Sequence, residues 1–299
     1  MTTTPAAKAG SAAQSRSGAE PKPGPKPRPK ARPRRRKPAD PGRAWARRLA
    51  RSRPGLIPYV LDGLASIYGR PTWQRVYDPT SELVLTMLSA NSADINAEKA
   101  FDALCRHWPA QEGQRSVGAR SGFRAGWGGV GIEEGAADWA AIADAPLDEL
   151  IDVIRPGGLG PTKAPRIQAV LRKILDERGD FSLEFLGQMK PADALAWLTQ
   201  IPGIGRKTAS VVLLFSFGMP LMPVDRHVER VSKRIGLVPP KATPEQAHDY
   251  LQVQLDDERV HEAHVNLITH GRRTCHAQRP ECNRCAIAAR CRYLDPKAP

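Results

Sequence analysis

Residues 195–209 read Leu-Ala-Trp-Leu-Thr-Gln-Ile-Pro-Gly-Ile-Gly-Arg-Lys-Thr-Ala: an apolar helical stretch runs into Ile201-Pro202-Gly203-Ile204-Gly205, and a second apolar stretch follows at once. Pro202 lacks a backbone donor and stops the first helix, while the two glycines leave no Cβ in the turn and permit positive φ. The pattern therefore predicts two helices joined by a tight hairpin. Backbone N–H groups in such a turn, placed at a helix N-terminus, make a site for a phosphate oxygen. Gly-x-Gly alone also fits an ordinary helix–helix connection. The run from Gly203 to Thr208 is faintly like a nucleotide-binding phosphate loop, but it lacks that motif's glycine spacing and no strand precedes it.

Helical spacing dominates elsewhere too. Leu56, Val60, Leu64 and Ile67 form one stripe, and Leu83, Met87 and Leu88 form another, preceded by Asp78-Pro79-Thr80 as a start signal. Further helices are predicted near 95–107, 146–155, 163–177, 191–200, 206–217, 224–235, 243–255 and 260–269. Strand-like alternation is scarce, so the class is all-α. Residues 109–136 break the pattern with a Gly-rich loop carrying Arg115, Arg120, Arg124 and Trp127. A loop of that length is uncommon in a compact domain and marks a functional or mobile insertion.

The net charge of +14 is unevenly placed. Residues 1–53 hold 16 of the 45 basic and 2 of the 31 acidic residues, which leaves 29 of each sign for the remainder. The bulk charge therefore says little about the folded part. Residues 1–43 alternate proline with like charges and have few apolar side chains to bury, the composition of a disordered basic tail. Such a tail serves as an electrostatic tether to phosphates, as a cellular address, or as a solvated extension. No apolar run approaches the ~20 residues of a membrane span, and no secretory apolar segment follows Met1. The expectation is a soluble intracellular monomer without membrane contact.

Downstream of the hairpin, Met222-Pro223-Val224-Asp225-Arg226-His227-Val228 places Asp225 at the start of another helix. A helix over 206–217 and a short Gly-Met-Pro turn let the chain return, so that Lys207 and Asp225 face each other across a cleft. Asp is also a common helix N-cap, and the two roles are compatible. An ordinary lysine amine, with a pKa of about 10.4, is mostly protonated. A helix N-terminus and partial burial both favour its free, nucleophilic form.

Four of the five cysteines crowd into Cys275-x6-Cys282-x2-Cys285-x5-Cys291, while Cys105 stands apart. In a reducing compartment such crowding favours metal over disulfides. Only one C-x2-C knuckle is present where structural zinc sites often have two, and four thiolates suit an iron–sulfur centre at least as well. His261-Glu262-Ala263-His264 lacks the histidine spacing of a zinc protease, so these histidines read as helix surface or packing.

Taken together, the Ile201–Ala209 hairpin and the Val224-Asp225-Arg226-His227 segment resemble the endonuclease III branch of the helix-hairpin-helix DNA glycosylases, over roughly residues 55–292. The resemblance implies a six-helix barrel over 78–222 that carries the hairpin and the 109–136 insertion. It also implies a second helical domain over 223–299, with a [4Fe–4S] loop at Cys275, Cys282, Cys285 and Cys291, packed with an N-terminal segment over 44–77. The implied activity is base-excision repair of double-stranded DNA containing a damaged base or an abasic site. Lys207 would attack C1′ of the sugar, form a Schiff base and allow β-elimination, with Asp225 relaying a proton or stabilising positive charge. Ile201, Gly203, Gly205 and Arg206 would contact the DNA, and Asn91 would fill the gap left by a flipped nucleotide, although the family often has glutamine there. After Leu159 the pyrimidine-specific branch often carries an aromatic residue, where this chain has Gly160, which leaves the lesion open. Two other readings are a monofunctional glycosylase and a protein that only binds DNA. The location implied is the cytoplasm, at the nucleoid in a bacterium, or the nucleus or an organelle in a eukaryote.

Overall fold

The computed structural model describes residues 40–110 and 137–298. Among them are the helices α1 (Pro41–Ser52), α2 (Leu56–Tyr68), α3 (Pro79–Ser89), α4 (Asp94–His107), α5 (Trp139–Asp144), α6 (Leu147–Val153), α7 (Gly160–Arg178), α8 (Pro191–Gln200), α9 (Arg206–Phe217), α10 (Arg226–Ile235), α11 (Pro244–Gln252) and α12 (Val260–Arg273). No strand occurs among the described residues, where the one β-pairing is an isolated bridge between Pro109 and Ala137. The all-α class holds. The tail over 1–39 and most of the Gly-rich insertion, with Arg115, Arg120, Arg124 and Trp127, lie outside the described residues. No described helix is long and apolar enough to cross a membrane.

Helix starts follow the residues that make good starts. Proline stands at the first position of α1, α3, α8 and α11, where its missing N–H costs no hydrogen bond. Asp40, Asp78 and Asp225 accept hydrogen bonds from N–H groups of α1, α3 and α10, and Thr243 and Gln246 form a reciprocal capping box on α11.

Two apolar cores are built among the described residues. The first is built by α3 to α9 around Leu83, Phe101, Leu104, Ile142, Ile167 and Leu171. The second joins both ends of the described chain: Leu49 of α1 and Leu56, Val60 and Leu64 of α2 meet Val228 and Val231 of α10, Leu251 of α11 and Leu267 and Ile268 of α12. Helix α9 belongs to both. Ala209, Val212 and Leu213 face the first core, whereas Val211, Leu214 and Phe215 face the second. A helix that is apolar on all faces has to be buried on all faces, and this one forms the seam between the two lobes.

Two expectations change. The stripe on α2 overruns the surface that covers it, so Ile67 in the last turn is 60% exposed while Leu61 is buried instead. The basic surplus of residues 1–53 also does not all precede the fold. Helix α1 starts at Pro41 and carries Arg43, Arg47, Arg48 and Arg51 on its exposed face, because Leu49 and Trp45 turn toward the second core.

Candidate active site

The hairpin turns where the sequence says it should. Ile201 and Ile204 are buried in the first core, and the Ile204 N–H donates to the Ile201 carbonyl at 3.0 Å. Gly203 has φ +98°, a conformation a Cβ resists. Gly205, by contrast, caps α9 with φ −86° in extended backbone, so only one of the two glycines needs the left-handed region. A Cβ at Gly205 would meet nothing within 4 Å inside the protein, which leaves the turn open on its outer side. Because the Ile201 side chain is buried, only its backbone can face a ligand. Arg206 is already engaged: its Nη1 lies 2.7 Å from Asp249 Oδ1 and 4.0 Å from Glu245 Oε2 of α11.

Lys207, the second residue of α9, and Asp225, the N-cap of α10, line one cavity of ≈ 630 Å³. Asp225 Oδ1 accepts from the His227 and Val228 N–H groups, each at 2.8 Å. Capping and facing the cleft therefore coexist in one carboxylate. The cavity also takes in Asn91, on the turn between α3 and α4, with φ +54°. Asparagine tolerates that left-handed region better than most side chains.

Sequence reasoning passed over three residues of the cavity wall. Asp94, the first residue of α4, forms an ion pair with Arg272 of α12, and burial raises its carboxyl pKa against the opposing pull of Arg272 and Lys207. His264 is 1% exposed, and its Nδ1 lies 3.1 Å from the Pro223 carbonyl, so Nδ1 carries the proton and donates. Burial pushes its pKa down to about 3, which keeps the ring neutral beside Lys207 and Asp225. The reading of His264 as packing holds in that it is buried, but it also forms part of the wall. The signal that finds this wall is helical phase: His264, Ile268 and Arg272 recur every four residues along α12, and all three line the cavity.

Gly160 begins α7 and is buried. A Cβ there would lie 3.1 Å from the Ile151 carbonyl oxygen and 3.2 Å from its Cγ2. A side chain at this position would need Ile151 of α6 to shift by a few tenths of an ångström. Nearby, the buried Lys163 amine donates to the Leu88 carbonyl at 2.5 Å and to the Gly157 carbonyl at 2.9 Å, tying the end of α3 to this loop.

The four clustered cysteines all line a second cavity, together with Arg234, His270 and Ile287. Their loop is pinned from several sides: the Tyr293 N–H donates to the Arg234 carbonyl at 2.9 Å, and Arg230 Nε donates to the Cys275 carbonyl at 3.0 Å. Arg234 Nη1 lies 3.3 Å from Cys275 Sγ. None of the cysteines is in a disulfide. Among the described residues, no group of three or more His, Cys, Asp or Glu side chains is arranged to hold a metal ion. Four thiols outside any disulfide on one cavity are the kind of donor set that thiolate-ligated metal centres use. Cys105 is buried in the first core, where its thiol is pushed up to about 12 by burial, a packing residue and not a reactive one.

Comparison with known proteins places this geometry. Residues 84–256 match the model of the HhH-GPD superfamily base excision DNA repair protein. Endonuclease III of Bacillus subtilis (strain 168) is 38% identical over 237 residues, covering 79% of this chain and 91% of that one. The DNA glycosylase/AP lyase ROS1 of Arabidopsis thaliana is 29% identical over 214 residues, but the match spans only 15% of that protein. A solved trapped endonuclease III–DNA covalent intermediate superposes with a TM-score of 0.61 at 28% identity, covering 81% of this chain and 96% of that one.

Proposed function

We propose, on the premise that this chain belongs to the HhH-GPD superfamily of base excision DNA repair proteins, that it is a bifunctional DNA glycosylase with abasic-site lyase activity in which Lys207 is the nucleophile. The observation that carries this reading is the meeting of Lys207 and Asp225 at the N-termini of two helices on one cavity. A damaged nucleotide turned out of duplex DNA into that cavity presents C1′ of its sugar to the Lys207 amine. Attack forms the C1′–N bond as the glycosidic bond breaks, and the base leaves with one amine proton. The C1′–O4′ bond then opens with a proton taken up at O4′ to give the protonated Schiff base. Loss of a C2′ proton breaks the C3′–O bond, so that the 3′ phosphate departs by β-elimination. Asp225 accepts or relays the proton and stabilises positive charge developing on the sugar. The trapped covalent complex of a similar protein supports the covalent step.

The duplex is held by its phosphates. The open turn at Gly203 and Gly205 offers backbone N–H groups beside the N-terminus of α9, and Arg206 can exchange Asp249 for a phosphate oxygen. Asn91 enters the space the flipped nucleotide leaves. Gly160 stands where the pyrimidine-specific branch often carries an aromatic group, which leaves room for lesions other than oxidised pyrimidines.

Cys275, Cys282, Cys285 and Cys291 would hold a [4Fe–4S] cluster, whose contribution is to fix the C-terminal loop. The shared cavity and the sequence kinship with endonuclease III support this assignment. The tail and the four exposed arginines of α1 add a salt-sensitive attraction to phosphate.

Borohydride trapping on an abasic duplex tests the chemistry. The iron-loaded protein is expected to give a covalent adduct that Lys207→Ala abolishes, while Asp225→Asn slows adduct formation by about 10²-fold or more. No adduct from the iron-loaded parent would sink the lyase assignment.

A further inference from the structure

Behind the cysteine loop lies a chain of polar side chains that the proposed chemistry does not use. The Tyr68 hydroxyl, at the end of α2, is 3.1 Å from His270 Nδ1 and 3.0 Å from Thr274 Oγ1. On the far side of the same imidazole, Nε2 is 3.5 Å from Cys285 Sγ. His270 is buried in α12, and its ring meets that of Tyr68 at a centroid separation of 6.0 Å. Four groups from three segments therefore form one continuous line that ends on a cysteine sulfur.

A neutral imidazole has one donor and one acceptor nitrogen, so this line can run in either of two directions. In the first, Thr274 donates to Tyr68, Tyr68 donates to Nδ1, and the Nε2–H points at sulfur. In the second, Nδ1–H donates to Tyr68, the Tyr68 hydroxyl turns to Thr274, and Nε2 is bare toward sulfur. A cysteine thiol is both donor and acceptor and suits either direction. A metal-bound thiolate has no proton to give, and the second direction then sets two lone pairs against each other. Only the first direction is compatible with a ligating Cys285.

We propose that Tyr68 is a positioning residue that holds His270 with its Nε2–H on the Cys285 thiolate, and that through this hydrogen bond it raises the reduction potential of the iron–sulfur cluster. This rests on the assignment of that cluster to the four cysteines. The physical reason is that a donor aimed at sulfur stabilises the more negative, reduced state more than the oxidised one. Cys275 needs no such relay, since Arg234 brings a permanent charge to its sulfur at 3.3 Å. The couple concerned is the addition of one electron, supplied by an electrode, with no bond made or broken.

Voltammetry on the purified, iron-loaded protein tests this, with iron content and absorbance measured on each sample. Tyr68→Phe removes the hydroxyl that fixes the tautomer and keeps the ring. It is expected to lower the potential by up to roughly tenfold in the oxidised-to-reduced equilibrium, about 59 mV for one electron. Thr274→Val, which removes only the outer hydroxyl, is expected to shift it the same way by less. In a His270→Gln background, whose amide N–H donates to sulfur without help, Tyr68→Phe is expected to change nothing. Equal iron content with unshifted potentials in both Tyr68→Phe and Thr274→Val overturns the proposal. So does loss of iron from Tyr68→Phe alone, which would put Tyr68 in cluster assembly. A parent protein without iron overturns the cluster assignment itself, a result read before any potential is measured.

Discussion

The two lobes that meet along α9 are held together differently. In the lobe of α3 to α8 the buried polar side chains include Thr80, Ser81, Glu82, Thr86, Glu98, Lys163 and Gln168 but no histidine, and Lys163 and Gln168 reach backbone carbonyls. In the lobe of α1, α2 and α10 to α12 the interior also contains Arg53, His248, Glu262, His264, Asn266 and His270. There His248 and His264 hold the irregular segment before α10, and Arg53 holds the C-terminal end of α10. His248 Nδ1 donates to the Met222 carbonyl at 2.9 Å, His264 to the Pro223 carbonyl, and Arg53 Nη1 to the Ile235 carbonyl at 2.6 Å. The second lobe thus depends on buried histidines staying neutral and on Arg53 staying paired, whereas the first has no buried histidine or arginine among the described residues. That difference exposes the second lobe to agents that act through its histidines and Arg53.

Acid is the strongest such agent. His248 and His264 have pKa values pushed down by burial, to about 4 and about 3. In the unfolded chain both titrate near the ordinary value of about 6.5. Between the folded and unfolded values the unfolded state binds more protons, so stability is lost as pH falls below about 6.5 and the loss continues toward pH 4. At pH 5 the loss is on the order of 2 kcal/mol for each histidine. Hydrogen exchange at pH 7 and pH 5 is expected to show α10 to α12 losing protection ahead of α3, α4 and α7. Equal loss in both lobes would remove the distinction drawn between them.

Point substitutions probe the same contrast at somewhat smaller cost. Leu171→Ala leaves a cavity in the first lobe and is expected to cost about 2–5 kcal/mol, nearly independent of pH. Arg53→Met keeps volume in the second lobe but strands the carbonyls of Ile235 and Arg290, to which Arg53 donates. The expected cost is about 3 kcal/mol, from hydrogen bonds that involve a charged donor. Denaturant titration of the two variants measures both. A near-neutral Arg53→Met would mean that the second lobe, too, is held by fit.

The same contrast explains what the sequence discloses. Helices α3, α4 and α7 to α9 follow from periodicity and from proline and aspartate at their starts, because an apolar core imposes regular spacing. The hairpin, Lys207 and Asp225 are legible because a tight turn demands Gly203 and a cap favours Asp225. Asp94, His264 and Arg272 are not, since their place in the wall depends on how α12 is rotated against α4. That rotation is set by the packing of α12 against α2 and α10. Short α5 escapes notice because six residues cannot express a helical period. The role of Arg53 is invisible for a related reason: nothing in a run of surface-like arginines marks the one that turns inward.

Asp225 stands where the lobes meet and allows the finest cut, because its carboxylate has two separable roles. Asp225→Ala removes the acceptor for the His227 and Val228 N–H groups and is expected to cost about 1 kcal/mol. Asp225→Asn keeps an oxygen in the capping position, so its cost is expected to be a few tenths of that figure. Both variants lack the negative charge facing Lys207 and are expected to lose trapping activity to a similar extent. Stability should therefore distinguish asparagine from alanine while activity does not. Trapping restored by asparagine would mean that the cap alone matters, through the angle at which α10 enters the cleft. The charge would then have no part in the chemistry, and the second lobe would serve the reaction by shape, as the first does.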